Sequence, residues 1–230
     1  MAKKEAVKGI FNDIAPRYDL LNHFLSMNID KSWRRKAMKE LSGGNNELLL
    51  DVACGTGDFS IAANKAGVKK VIGVDISENM VAVGCKKVRE RGLEQQIELM
   101  AGDSENLEFP DGHFDAVTVA FGVRNFEHLE KGLTEMQRVL KPDGKVIILE
   151  FSMPEHFPMK QLYKFYFRYI LPWIGGLISG NKGAYTYLPE SVMKFPQGKQ
   201  FLSILESCGF RNTNRKKLTF GIASLYIGYK

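Results

Sequence analysis

The fold of this chain is decided by Leu48-Leu49-Leu50-Asp51-Val52-Ala53-Cys54-Gly55-Thr56-Gly57-Asp58, and Val71-Ile72-Gly73-Val74-Asp75 repeats the plan further on. Each apolar run is typical of a strand buried in a parallel sheet. Because glycine has no Cβ, Gly55 and Gly57 let the backbone turn sharply and approach a ligand closely. Asp75 ends the second strand, where its carboxylate can accept hydrogen bonds from a ribose. This pattern predicts a site for a nucleotide-type cofactor.

The residues around the turn favour a cationic cofactor over a dinucleotide. A dinucleotide fingerprint has a glycine or an alanine three positions after Gly57 to pack the helix on the strand, and Ser60 stands there instead. Asp58 would repel a pyrophosphate, whereas it would attract the ammonium and sulfonium groups of S-adenosylmethionine. An ordinary strand-to-helix turn is the alternative, but Asp51 and Asp75 flank the turn at the spacing of a binding site.

The composition indicates one α/β domain with an added lid. The chain has 230 residues, of which 44% are hydrophobic, so it can bury a full core. Its net charge of +6 mildly favours an anionic partner such as a lipid surface. The basic residues are scattered except for a short cluster in Arg211–Lys217, so we expect no nucleic-acid partner.

Cysteine usage and hydropathy point to the cytoplasm. The three cysteines are odd in number and lack metal-ligand spacing, so we interpret them as reduced thiols and expect no metal. We see no apolar leader and no window of 18 uninterrupted apolar residues. The aromatic stretch Lys160–Ile178 favours either a buried cap helix or a wall for a long apolar substrate that also touches lipid. We therefore expect a cytoplasmic protein, with peripheral contact at the inner face of the membrane as an open alternative.

Strands and helices alternate through the middle of the chain, which predicts a parallel sheet with right-handed crossovers. The turn-rich Lys141–Gly144 is expected to deliver the chain to the fifth strand. The predicted strands are Leu48–Ala53, Lys70–Asp75, Ile97–Ala101, Phe114–Phe121 and Lys145–Phe151, followed by two strands within Thr213–Lys230. The predicted helices are Phe59–Ala66, a segment from Ser77, Leu129–Leu140 and Gln197–Cys208.

Two further segments flank this core within a single 1–230 unit. Residues 1–42 are expected to form a helical cap, with short helices on either side of Pro16 and a third over Ser32–Leu41 that uses Ser32 as its N-cap. Residues 152–195 interrupt the alternation, and we expect them to form a lid or substrate insert.

Several motifs resemble those of known proteins. Asp51–Asp58 is similar to the first motif of class I S-adenosylmethionine-dependent methyltransferases, and Phe11–Asn22 and Phe121–Asn125 resemble signatures of the UbiE/MenG family. Arg138–Gly144 and Leu149–Ser152 extend the similarity over essentially the whole chain. The resemblance implies a Rossmann-like α/β fold with a seven-stranded, mostly parallel sheet, N-terminal helices and a helical lid inserted after strand five. It also implies C-methylation of demethylmenaquinol or of the ubiquinol precursor.

The resemblance suggests roles for particular residues. Arg124 would stabilise a phenolate or hold a water that accepts its proton, with a salt bridge to a carboxylate of the lid as the alternative role. Tyr18 and Asp19 are further catalytic candidates, and His23 and Tyr185 are candidate partners. At position 120 relatives often have serine, so Ala120 would lack a hydroxyl contact. The residues expected at the cofactor, S-adenosylmethionine, are Asp51, Gly55, Thr56, Gly57, Asp75, Ile76, Asp103, Ser104 and Ala120.

Three readings of the function stay open at this point. The leading one is a methyltransferase for a prenylated hydroquinone, either a naphthoquinol or a benzoquinol. Another apolar acceptor, such as a sterol or a tocopherol precursor, is the second. The third is a catalytically silent subunit that binds prenyl lipids. Methylation of nucleic-acid amines is disfavoured because Phe121–Asn125 lacks the prolines that such enzymes place there. The sequence leaves open whether the chain forms a homodimer.

Overall fold

The computed structural model describes residues 3–26, 28–41, 46–166, 169 and 182–230, and its seven strands form one sheet in the order β3-β2-β1-β4-β5-β7-β6. Strands β1 to β5 are parallel, and β7 runs antiparallel between β5 and β6. The strands are β1 (Leu48–Val52), β2 (Lys70–Asp75), β3 (Ile97–Ala101), β4 (Phe114–Ala120), β5 (Leu140–Phe151), β6 (Arg211–Leu218) and β7 (Ala223–Tyr229). The predicted fold class is confirmed.

Helices precede the sheet, connect its strands and follow β5. The cap helices are α1 (Lys3–Ile14), α2 (Tyr18–Leu25) and α3 (Ile29–Lys39). The crossover helices are α4 (Asp58–Lys65), α5 (Glu78–Glu90) and α6 (Leu129–Val139). Beyond β5 come α7 (Met159–Phe165), α8 (Lys182–Lys194) and α9 (Lys199–Ser207).

Both faces of the sheet are covered. Neighbouring residues of a strand point to opposite sides, so each strand contributes to two buried clusters. Leu49 belongs to a buried cluster with Trp33 and Phe59, whereas Leu50 belongs to a second cluster with Phe114 and others. Helices therefore close the two faces, and the loops at the carboxyl ends of the strands are left to build a ligand site.

The structure corrects two local predictions. Helix α3 begins at Ile29 after Asn28, whose φ is 60°, so Ser32 lies inside the helix and is not its N-cap. Asparagine tolerates this left-handed conformation better than most residues, which explains the earlier start. Strand β5 begins at Leu140, and the predicted turn at Lys141–Gly144 is a bulge within it, because Phe114 pairs with Leu140 but Ala116 pairs with Lys145.

The expected insert at 152–195 is described only in part. Helices α7 and α8 lie within it, and residues 167, 168 and 170–181 lie outside the described residues. The lid assignment therefore stays a prediction. The described residues contain no helix that is long and apolar enough to cross a membrane.

Candidate active site

The glycine turn after β1 fixes the carboxylate that ends β2. Gly55 and Gly57 have φ values of +55° and +77°, a region that glycine enters without steric cost. The Gly55 N–H donates to Asp75 Oδ2 at 2.8 Å, and the Ser77 N–H donates to Asp75 Oδ1 at 2.9 Å. Burial raises the pKa of Asp75, and these backbone donors oppose that shift. Asp75 therefore presents a fixed acceptor at the sheet edge.

A first cavity lies at this edge, with about 640 Å³ of empty space including its open mouth. We call it the nucleoside cavity. Of the residues expected to contact the cofactor, it is lined by Gly55, Asp75, Ile76, Asp103, Ser104 and Ala120.

A smaller cavity adjoins the first and is lined by Asp51, Thr56 and Asp58, with Gly55 and Ala120 shared between the two. We call it the methionine cavity because its carboxylates suit an ammonium group. Gly57 lines neither cavity. A Cβ at this position would lie only 2.9 Å from Leu99 Cδ1 on β3. Gly57 therefore shapes the turn and packs against β3.

Asp51 is a fully buried acid held by two hydroxyls. Ser60 Oγ donates to Asp51 Oδ2 at 2.6 Å, and Thr118 Oγ1 donates to Asp51 Oδ1 at 3.0 Å. Burial nevertheless raises the pKa of Asp51 to about 6, with the two hydroxyls opposing the shift. Ser60, which departs from the dinucleotide pattern, therefore orients the acid of this turn.

Asp19 connects the cap to the glycine turn. Its carboxylate accepts a hydrogen bond from Thr56 Oγ1 and pairs with Lys87 Nζ at 2.5 Å. Lys87 also pairs with Asp58 Oδ1 at 2.8 Å. Asp19 does not line the acceptor cavity described below. Its contacts favour a structural role, in which it joins the cap to the glycine turn, over the catalytic role that the sequence suggested.

Beside the nucleoside cavity lies a third one, with about 700 Å³ of empty space including its mouth. We call it the acceptor cavity. Its walls include stacked Phe121 and Phe151 rings, whose centroids are 4.3 Å apart. Its polar lining consists of Tyr18, Asn22, Ser26, Asp30, Arg34, Arg124 and Tyr187.

Tyr18 borders the nucleoside, methionine and acceptor cavities. Burial raises its pKa, while a hydrogen bond with Asn22 and the charges of Arg124 and Arg34 oppose that shift. The phenol therefore stays protonated near neutral pH, where it can donate a hydrogen bond but is a poor base. Its catalytic role stays a prediction.

Phe121 forms another part of the wall between the nucleoside and acceptor cavities. Its φ of +59° is unusual for a bulky residue, and Arg124 Nη1 donates to its carbonyl oxygen. At Gly122 an added Cβ would lie only 2.6 Å from Ala53 Cβ, which explains the glycine in this motif. The Phe-Gly pair thus carries the chain closely past the end of β1.

Arg124 lines the acceptor cavity and is also half of a buried ion pair. Its Nη1 donates to Glu150 Oε1 at 2.8 Å, and its Nε donates to Ser191 Oγ at 3.3 Å. Glu150 is fully buried, which raises its pKa against the opposing charge of Arg124. The salt bridge raised as an alternative therefore exists, with a partner at the end of β5 and not in the lid.

Asp30 and Arg34 on α3 also line the acceptor cavity, although no sequence pattern predicted them there. Asp30 is only 3% exposed and accepts a hydrogen bond from Ser26 Oγ at 2.6 Å. Arg34 Nε lies 3.4 Å from Asp30 Oδ2, and its guanidinium lies 5.8 Å from the Phe121 ring centroid. Their spacing of four residues is a usable signal, but it also fits a solvated helix face.

The two candidate catalytic partners, His23 and Tyr185, cannot be placed in the site. The side chains of His23 and Tyr185 lie outside the described residues. Among the side chains that are described, no three or more metal-ligating groups cluster.

A glycine turn, an acid at the end of the second strand and a seven-stranded sheet with an antiparallel strand together define the class I methyltransferase fold. Solved structures agree with this assignment of the fold. The [4+2]-cyclase SpnF matches with a TM-score of 0.72 at 15% identity, over 97% of this chain and 94% of that one. A SAM-dependent methyltransferase from Aquifex aeolicus gives 0.58 at 23% identity, over 85% and 88%.

The chain belongs to the ubiE/COQ5 methyltransferase family, whose model matches residues 1–230. A demethylmenaquinone methyltransferase of Bacteroides fragilis is 47% identical over 229 residues, covering 99% of this chain and 94% of the relative. The ubiquinone/menaquinone biosynthesis C-methyltransferase UbiE of Geobacter sulfurreducens is 46% identical over 230 residues, covering 99% and 90%. These findings confirm the predicted family, and with it an S-adenosylmethionine-dependent methyltransferase.

Proposed function

We propose that this protein transfers a methyl group from S-adenosylmethionine to a ring carbon of demethylmenaquinol and so forms menaquinol. The observation that carries this proposal is the acceptor cavity, which places stacked aromatic rings and two arginines beside the nucleoside cavity. An aromatic slot with cationic groups suits a flat ring that develops negative charge on its oxygens. The names of the relatives from Bacteroides fragilis and Geobacter sulfurreducens support the same reaction.

The residues present fit S-adenosylmethionine, which supplies an electrophilic methyl group on a sulfonium. Asp75 has acceptor capacity left after two backbone donors and would bind the ribose hydroxyls. Asp51 lines the methionine cavity, where its carboxylate would attract the ammonium group. Gly55 leaves room at the border of the two cavities because it carries no Cβ.

The wall between the cavities determines the direction of attack. Tyr18 and Phe121 border both the nucleoside and the acceptor cavities, so they would hold the acceptor ring beside the bound cofactor. Alignment of this kind can supply roughly 7–11 kcal/mol of the barrier reduction. Arg124 would hold an oxygen of the quinol by hydrogen bonds, since its guanidinium stays protonated.

The proposal is tested with purified protein, labelled S-adenosylmethionine and a panel of reduced acceptors. We expect product from demethylmenaquinol and none from a sterol or a tocopherol precursor. The benzoquinol precursor of ubiquinone is the second candidate, favoured by the dual name of the Geobacter sulfurreducens relative. Calorimetry with the cofactor separates both from the silent lipid-binding subunit, which would bind prenyl lipid but not S-adenosylmethionine. No product from either quinol would refute the proposal.

We also propose peripheral contact with a lipid surface at the inner face of the membrane. Phe157, Leu162, Phe165 and Tyr169 are each more than half exposed, and they lie on or beside α7. We call these four residues the α7 patch. Lys160 and Lys164 are exposed on the same helix and would meet anionic headgroups. Such contact would bring the cavity to a substrate whose prenyl tail lies in the bilayer.

A further inference from the structure

We propose that Asp30 is the base that removes the proton from the quinol hydroxyl next to the reacting carbon, and that Arg34 stabilises the oxygen left behind. This inference rests on the proposed function, because it assigns roles within the same reaction. It divides the acceptor cavity into a donor-side end at Asp30 and Arg34 and a far end at Arg124.

The two arginines of the acceptor cavity border different neighbouring cavities. Arg34 lines both the acceptor cavity and the methionine cavity. Arg124 lines the acceptor cavity and a different cavity beside α8. In a 1,4-hydroquinone the methylated carbon adjoins one hydroxyl and lies far from the other. The hydroxyl on the methyl-donor side therefore faces Asp30 and Arg34, and the opposite oxygen faces Arg124.

The lining of the acceptor cavity offers few groups that could act as a base. Among the described residues that line the acceptor cavity, Asp30 is the one with a carboxylate, and none of them is a histidine. Tyr18 stays protonated because burial raises its pKa, and arginine does not give up its proton in proteins. Glu150 is fully buried behind Arg124 and does not line this cavity. Asp30 is thus the base that the described lining offers.

Neighbouring side chains hold Asp30 in position. Ser26 Oγ donates to its Oδ1 at 2.6 Å, and Arg34 lies against its Oδ2. With an exposure of 3%, a polar side chain needs such hydrogen-bond partners. Arg34 is itself only 13% exposed in its side chain, and its guanidinium lies over the ring of Phe121. The pair is therefore pre-organised beside the aromatic slot.

The step balances without an oxidant. The quinol O–H bond breaks, and its proton passes to the Asp30 carboxylate. The neighbouring ring carbon forms a bond to the methyl carbon while the carbon–sulfur bond breaks and its electron pair stays on sulfur. The hydrogen on the methylated carbon then leaves as a proton to solvent water, and the oxygen recovers the proton held by Asp30, which returns to its carboxylate form. Overall, one proton is released for each methyl group transferred.

Steady-state methyl transfer to reduced demethylmenaquinol tests the proposal with Asp30→Asn, an isosteric change that cannot accept the proton. We expect kcat to fall by about 10²- to 10⁴-fold, the range for loss of a general base. The KM for the quinol should change by less than about threefold, and calorimetry should show an unchanged affinity for S-adenosylmethionine, since Asp30 does not line the nucleoside or methionine cavity. Asp143→Asn, on the exposed bulge of β5, is the matched control and should keep wild-type kcat.

The outcomes separate this inference from the proposed function. If the wild-type protein makes no menaquinol, the proposed function fails. If the wild type is active and Asp30→Asn retains its kcat, Asp30 is not the base and the function stands. Asp30→Glu restores a carboxylate and should recover part of the lost kcat, and it replaces Asp30→Asn if that variant does not fold. A kcat for Asp30→Glu no higher than that of a folded Asp30→Asn variant would equally overturn the inference. If Asp30→Asn does not fold, an Asp30→Glu variant that loses its affinity for S-adenosylmethionine together with its kcat would overturn it, because the loss would then be structural.

Discussion

Asp51 carries a stability cost at the centre of the cofactor site. Burial raises its pKa to about 6 from an ordinary value of 3.8. Between these values the unfolded chain has lost the proton while the folded protein retains it, so stability falls as the pH rises through this window. A shift of about two units corresponds to roughly 3 kcal/mol once the pH exceeds the folded pKa.

Asp51→Asn should therefore stabilise the protein without cofactor. We expect the free energy of unfolding at pH 8 to rise by about 1–3 kcal/mol, and the gain to shrink as the pH approaches 4. Urea denaturation at several pH values measures this, and calorimetry should show weaker binding of S-adenosylmethionine because a carboxylate is lost. A variant less stable than wild type at pH 8 would contradict this account of Asp51.

Arg124 requires a different design, because its removal strands the buried Glu150. We expect Arg124→Ala to lower the free energy of unfolding by about 3–5 kcal/mol, the usual cost of breaking a buried pair. Adding Glu150→Gln should restore much of that loss, since the orphaned charge disappears. Denaturation of the single and double variants checks this, and an Arg124→Ala protein as stable as wild type would show that the pair is not buried in solution.

At the scale of elements, α1 is held over the nucleoside cavity by polar contacts with α5 and the β3 loop. Lys4 pairs with Asp103, and Ser77 Oγ donates to Asn12 Oδ1 at 2.6 Å. Lys4 and Asp103 both line the nucleoside cavity. A cofactor in that cavity would thus lie beneath α1, and its release would require these contacts to loosen.

Asn12→Ala should therefore speed the release of S-adenosylmethionine. The variant loses the hydrogen bonds that Asn12 Oδ1 accepts from Ser77 Oγ and from the Asn79 N–H. At about 0.5–1.5 kcal/mol each, their loss corresponds to a dissociation rate that is roughly 5- to 150-fold faster. Ser77 still accepts a hydrogen bond from the Met80 N–H, so the N-terminus of α5 stays capped. Stopped-flow displacement measures the rate, and Asn214→Ala on β6 is the control. Equal rates for Asn12→Ala and wild type would mean that α1 does not gate the cavity.

The elements were largely predictable, whereas part of the site was not. Apolar runs predicted β2 and β3 to the residue, and Ser77 predicted the start of α5, because buried strands and helix caps have local signals. The start of α3 was mispredicted because Asn28 enters the left-handed region. Asp30 and Arg34 were not predicted as site residues, because a charge pair four residues apart is also typical of a solvated helix face. Only the packing of α3 distinguishes the two.

At the scale of the whole molecule, the proposed lipid contact should depend on the α7 patch. We expect Leu162→Ser with Phe165→Ser to reduce binding to anionic phospholipid vesicles by at least tenfold, because each buried side chain contributes about 1.5–3 kcal/mol. Leu20→Ser, at an exposed leucine of α2, is the control. Vesicle sedimentation measures the partition, and a double variant that binds like wild type would exclude this patch.

The fold alone does not decide the reaction, since SpnF shares it and is a cyclase. The most direct test of the central claim is therefore the position of the transferred methyl group, followed with S-adenosylmethionine that carries a trideuterated methyl and with reduced demethylmenaquinol. Our account predicts a product that gains one methyl group, which is bonded to a ring carbon and retains all three deuterium atoms. Mass spectrometry counts the deuterium atoms, and NMR locates the methyl group. A methyl group on a quinol oxygen, or no transfer while the cofactor still binds, would contradict it.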